Sequence, residues 1–203
     1  MADGENDVFI NCPFDAEYRP LFEAMVFAIH HCGFVARSAV EMDDGGMSRI
    51  DKVAAIIAYC RLGIHDISRT EPDPVSGLPR FNMPLELGMF LGAKRYGNPR
   101  QRQKRCLILD REPHRYQRFC SDIAGHDIRA HENEPSSAIR IVRDWLRNAL
   151  LDAGTIPGGS RIAHSYARFQ AELPLICDLL GLDAEELAFN DLTLLMSIWL
   201  REN

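Results

Sequence analysis

Three short polar clusters in this 203-residue chain carry side chains able to act on a sugar or a phosphate. Asn11, Cys12, Pro13, Phe14 and Asp15 follow one apolar run; His65, Asp66, Ile67, Ser68 and Arg69 close another; Asn82 to Gly88 open a helical pattern. Glu86 stands between Leu85 and Leu87 just after Pro84, a residue that favours a helix start. Its carboxylate has two readings. It gains from the positive end of the helix dipole, or it acts as a nucleophile or electrostatic stabiliser for a developing oxocarbenium ion. Asp66 is equally open: a cap or a partner for Arg69, or a group that binds ribose hydroxyls or assists a leaving group. Asn11 contacts a sugar or closes its own turn. Arg69 and Arg19 are the cations closest to these clusters, for a phosphate or for pairing with Asp15, Glu17 or Glu71. His65 reads as a core histidine. His30 and His31 have no acidic or cysteine partner at metal spacing, so no metal is expected. Neither common Gly-rich phosphate loop is present, which argues against a P-loop nucleotidase and a dinucleotide dehydrogenase, and no cofactor is expected.

The elements that must position these clusters follow from periodicity. Residues 8–12 read as a buried strand and residues 18–32 as a helix that Gly33 stops. A second strand is expected over 34–39. Ser48 is the expected N-cap of a helix whose apolar face is Ile50, Val53, Ala54 and Ile57. A third strand spans 62–67, a Pro-rich loop 70–84, a helix 85–96 and a fourth strand 106–109. A helix around 116–123, a short strand near 127–130 and an amphipathic helix over 136–151 complete the pattern. Strands separated by helices of this length indicate βαβ units around a parallel sheet, so the fold expected is a doubly wound α/β domain over residues 1–152. Ligands in such folds bind outside the carboxyl ends of the strands, where all three clusters fall.

Residues 153–203 form the second expected unit, a helical appendage after a Gly-Pro turn at 154–159, with helices near 162–180 and 184–200. Phe169, Leu173, Ile176, Leu180, Leu194, Ile198 and Trp199 exceed what two helices bury between themselves. The hairpin therefore docks on the chain's own α/β domain or on a second subunit, and a homo-oligomer is one expected outcome.

Composition narrows the class. An apolar fraction of 46% with 26% charged residues is that of a globular chain. No apolar run is long enough for a transmembrane helix. The acidic opening segment lacks the pattern of a signal peptide. Six scattered cysteines suit reduced thiols, which points to the cytoplasm. Net charge is −6, yet residues 94–118 hold nine Lys or Arg against two acids, a local +7. Such a stretch attracts phosphate or nucleic acid; without an aromatic stacking pattern it reads rather as a solvated loop, and nucleic acid is not the expected partner.

In order and placement these clusters resemble the nucleoside 2-deoxyribosyltransferase-like group, whose flavodoxin-like core is shared with TIR domains. The Asn11-Cys12-Pro13-Phe14 turn, Asp66 at the end of the third strand, and Glu86-Leu87-Gly88 followed by Lys94 and the strand at Cys106 carry the likeness, over residues 7–150. The segment Arg80 to Pro84 departs from the Asp-Xaa-Gly-Thr of the transferases. The resemblance implies that Glu86 attacks C1′ of a ribosyl group while Asp66 holds the sugar or assists the base. Asn11, Pro13, Phe14, Ser68, Arg69, Asn82 and Gly88 are then the expected substrate-binding set. The implied ligand is a nucleotide, nucleoside or NAD, as in bacterial defence-associated members of the superfamily. Two functions follow as expectations: cleavage or transfer at an N-glycosidic bond, or nucleotide sensing or assembly without catalysis.

Overall fold

The computed structural model describes residues 4–72, 77–149 and 155–203. Its centre is a five-stranded, wholly parallel sheet in the order β2-β1-β3-β4-β5. The strands are β1 (Asp7–Asn11), β2 (Val35–Arg37), β3 (Leu62–Asp66), β4 (Arg105–Asp110) and β5 (Ile128–Ala130). This is the doubly wound, flavodoxin-like order, and its direction reverses between β1 and β3.

Side-chain alternation along the strands divides the core. Val8, Ile10, Leu62, Ile64, Leu107 and Leu109 face α1 (Arg19–His31) and α4 (Pro135–Ala149). Phe9 and Ile108 point the other way, toward α2 (Arg49–Tyr59) and α3 (Asn82–Tyr96). On that face β3 carries Gly63, where an added β-carbon would stand 2.7 Å from the Phe90 ring. The missing side chain is what lets α3 approach the sheet. Ser48 caps α2 as expected, its hydroxyl accepting from the Asp51 amide at 3.3 Å.

Helix α1 is apolar almost all round, because it is covered on both sides. Beneath it lies the sheet; above it lie α5 (Gly159–Leu180) and α6 (Phe189–Glu202). Phe27 of α1 meets the rings of Tyr166, Phe169 and Trp199 at 5.3, 5.5 and 5.9 Å between centroids. Arg19 donates to the carbonyls of Ala184 and Glu185 in the turn between the two helices. The hairpin thus docks on its own α/β layer, burying Phe169, Leu173 and Trp199, while Leu180 and Leu194 remain exposed. A chain ending at Gly158 is expected to aggregate, since it bares the outer face of α1. Size-exclusion chromatography checks this, and a soluble monomer would contradict it.

Three local expectations need correction. The second strand stops at Arg37 and gives way to a 3₁₀ turn, Ala39–Glu41. The helix expected over 116–123 is two 3₁₀ turns, Arg115–Arg118 and Ser121–Ile123. Helix α3 starts at Asn82, so Pro84 lies inside its first turn and Glu86 in its second. The expected helix end at 151 and the 152/153 boundary lie outside the described residues, as does part of the 70–84 loop.

Several cations of the basic stretch cap helix ends. Lys104 Nζ is buried and donates to the carbonyls of Ile57 and Cys60, at the end of α2. Arg102 donates to the Gly97 carbonyl after α3, and Arg105 to that of Asn148 near the end of α4. Carbonyls without helical partners collect at this edge, and cations satisfy them and the dipoles behind them. Lys104→Met keeps the volume and removes the donors, so it should cost about 1–3 kcal/mol. Urea titration of both proteins reads this directly; unchanged stability would remove the capping role.

Candidate active site

The strand order places a crevice between the carboxyl ends of β1 and β3, where the helices leave to opposite faces. A cleft of about 380 Å³ opens there, with Cys12, Pro13 and Phe14 on one side and Asn82 and Met83 of α3 on the other. Arg49, Arg69 and Arg80 line it from three different segments, and Asp15 is the acid among its lining residues.

Glu86 lies behind this cleft. It is only 4% exposed, and its Oε1 is 3.8 Å from Nη2 of Arg49. The Arg49 guanidinium in turn stands 5.7 Å from the centre of the Phe14 ring. Burial raises the Glu86 carboxyl above the ordinary carboxylate value, and Arg49 opposes the shift. The first turn of α3, which fixes where Glu86 stands, is tied to β1 by Asn11. The Asn11 amide donates to the Met83 carbonyl at 2.9 Å and to His65 Nδ1 at 3.1 Å. Asn11 is therefore a positioning residue, neither a sugar contact nor the closure of its own turn. Its Oδ1 is buried with no hydrogen-bond partner among the described residues. His65 is a core side chain, as expected, edge-on to Phe9 and Phe90; burial lowers it to about 3, so it stays neutral.

Asp66 departs furthest from expectation. Its carboxylate is fully buried. Tyr18 donates to Oδ2 at 2.6 Å, the Ser68 amide donates to Oδ1 at 2.7 Å, and His131 Nε2 lies 2.9 Å from Oδ2. His131 Nδ1 accepts from the Asn133 amide at 3.0 Å, which leaves the imidazole proton on the nitrogen facing Asp66. Burial opposes ionisation of Asp66, but the contacts from His131, Ser68 and Tyr18 outweigh it and hold its pKa below the ordinary value. A carboxylate so enclosed does not reach a ligand; it fixes the β3 end, the start of α1 and the segment after β5. Arg115 does the same for the next loop, donating to the carbonyls of Ile67 and Ser68 at 2.9 and 2.7 Å and to Asp110 at 2.8 Å.

Of the residues expected to bind substrate, Pro13, Phe14, Arg69 and Asn82 line the cleft. Ser68 is buried beside Asp66, and Gly88 faces a separate groove beyond α3. Arg19 is engaged by the hairpin turn and by Glu23, and Arg69 by Asp15 and Glu17 at 3.4 and 2.8 Å. Cys12 sits at the cleft wall, where burial and the nearby carboxylates push its thiol above the ordinary range and disfavour the thiolate. Sequence reasoning missed Tyr18, Arg49, Arg80, Arg115 and His131. Only Arg49, directly after the N-cap Ser48, carried a local signal.

A second cleft of about 360 Å³ shares Pro13, Phe14 and Asp15 with the first. Its remaining wall is largely apolar and includes Phe22, together with Leu187, Phe189 and Leu192 from the C-terminal hairpin. Phe14 and Phe22 meet edge to face at 5.4 Å, and Phe22 lies 5.7 Å from Phe189. Phe14 therefore divides an arginine-lined space from an aromatic one.

Among the described residues no group of three or more His, Cys, Asp or Glu side chains could hold a metal ion. Among them, too, no helix is long and apolar enough to cross a membrane. Comparison with protein-family models, curated proteins and solved structures finds no match for this chain.

Proposed function

We propose that this chain breaks the N-glycosidic bond of a phosphorylated nucleoside, through a covalent intermediate on Glu86. The carrying observation is the Glu86 carboxylate held beside Arg49, which with two other arginines lines a cleft in the crevice of a doubly wound sheet. Arginines bind phosphate oxygens in pairs. An aromatic cleft across Phe14 suits a base. The resemblance to the nucleoside 2-deoxyribosyltransferase-like group supports the same role for Glu86.

In this reading the phosphate takes Arg49 from Glu86, which frees the carboxylate to meet the sugar. A Glu86 oxygen bonds to C1′ as the C1′–N bond breaks. The bonding pair leaves with the base, which takes up a proton from solvent. Water, or the hydroxyl or ring nitrogen of an acceptor, then attacks C1′, loses its proton to solvent and restores the carboxylate. Asp66 has no chemical part; with Tyr18 and His131 it keeps the β3 end in place.

The burial of Glu86 also favours a second reading, a nucleotide sensor whose Arg49–Glu86 pair opens on binding without turnover. The two are separated by incubating the protein with nucleosides, their 5′-monophosphates and NAD while free base is followed by liquid chromatography. Base release from a monophosphate, faster than from its nucleoside, is the expected result. Calorimetric binding of the monophosphate with no release would select the sensor, and equal treatment of nucleoside and monophosphate would remove the phosphate role of the arginines.

A further inference from the structure

We propose a second binding site, independent of the first: the groove along the outer edge of β4 takes an extended acidic peptide segment as an added strand. The groove encloses about 1070 Å³ between α3 and α4. Its floor is unfinished sheet. β5 pairs only with Ile108–Asp110, so among the described residues Arg105–Leu107 have no neighbour on that side. The Arg105 amide donates inward, to the Arg61 carbonyl before β3. Because successive residues of a strand turn their N–H and C=O to opposite edges, the amide and carbonyl of Cys106 face the groove. An unpaired strand edge of this kind is a template for another chain.

The walls leave room for a backbone. Gly88 and Gly92, one turn apart on α3, both line the groove, and a β-carbon at either would meet nothing within 4 Å. No internal contact requires them, although each weakens the helix by about 1 kcal/mol relative to alanine. Leu91 and Trp145, both half-buried, supply apolar surface for the side chains of an incoming strand.

Charge selects the occupant. Asp127 is paired with Arg129 and Asp144 with Arg143. Lys94 and Arg95 have no acidic partner among the described residues, and Arg102 and Arg105 donate to neutral carbonyls and keep their charge. Four cations at the rim thus face one acid, Asp122, that has no ion pair among the described residues. A second copy docked through this same face would bring the basic rim against itself, so a two-fold contact there does not fit. A bare strand edge beside Gly88, Gly92 and Trp145 matches a peptide better than a nucleic-acid strand, which wants successive stacking rings; the one highly exposed aromatic ring here is Tyr96, at 84%.

The test is selection of random octapeptides displayed on phage against the full chain. Enrichment of peptides with acidic residues at alternate positions is expected. A synthetic peptide of the enriched sequence should slow hydrogen exchange at the Cys106 amide. Its affinity should fall at least tenfold in the exposed double variant Lys94→Glu, Arg95→Glu and in Gly92→Val, with circular dichroism confirming that both remain folded. No enrichment, equal binding by both variants, or tighter binding of a twelve-residue oligothymidylate than of any selected peptide would overturn the proposal.

Discussion

Glu86→Gln should lower kcat for base release by several orders of magnitude while leaving KM within a few-fold. The amide keeps the shape of the side chain and its place beside Arg49, but it cannot form the bond to C1′, and a group that acts only in the transition state shows its loss in kcat. Folding should not suffer. Burial raises the Glu86 pKa, so the ionised group is a cost to the folded state. That cost is absent below the ordinary carboxylate pKa and grows as pH rises through the raised value. A neutral isostere removes it, so the variant should melt at the same temperature as the wild type or above it. Its Arg49 partner is half exposed, and losing that pair costs little. Turnover within tenfold of wild type in a well-folded Glu86→Gln protein would end the nucleophile assignment.

Asp66→Ala should have the opposite profile, a folding defect. The substitution strands the Tyr18 hydroxyl, the Ser68 amide and His131 in a fully buried space. Leaving buried polar groups unpaired costs about 1–3 kcal/mol each, which for three such groups in a chain of this size lowers Tm by roughly 10 °C or more. The same network has a pH signature. The Asp66 pKa is lowered in the fold, so its contribution is complete above the ordinary carboxylate pKa and is lost as pH falls through the lowered value. Urea titrations between neutral pH and pH 3 should therefore show the wild type losing part of its advantage over Asp66→Ala at the acid end. A constant difference across that range would show that the carboxylate's charge is not what Tyr18 and His131 hold.

The order of elements was legible because each strand is a short apolar run and each helix shows its own period. Local pattern failed where a distant contact decides the outcome. Pro84 reads as the start of α3, but Asn11 reaches across to the Met83 carbonyl and anchors a turn that begins at Asn82. Residues 116–123 carry helical spacing. However, His114 takes a left-handed conformation (φ 61°) and Arg115 is drawn to the ends of β3 and β4, which breaks the segment into turns.

The site divides in the same way. That Phe14 and Arg69 line the β1/β3 crevice could be read from strand-end position alone, whereas Glu86 is set back behind it, beside Arg49. The enclosure of Asp66 could not, because Tyr18 and His131 converge on it only once α1 and the segment after β5 are folded. Nor does the run of cations around Lys104 reveal in sequence which helix ends it will meet. Gly63 and Arg80 likewise take their meaning from what lies opposite them, Phe90 in one case and the two other arginines of the cleft in the other.

The covalent role proposed for Glu86 is tested directly by mass spectrometry after incubation with a 2-fluoroarabinosyl nucleoside 5′-monophosphate, whose fluorine slows release of the sugar from the enzyme. The expected result is a mass increase equal to one fluorinated sugar phosphate, mapped to the peptide that carries Glu86 and absent from Glu86→Gln. Base release from ordinary monophosphates with no adduct at Glu86, or an adduct that persists in the variant, would contradict it.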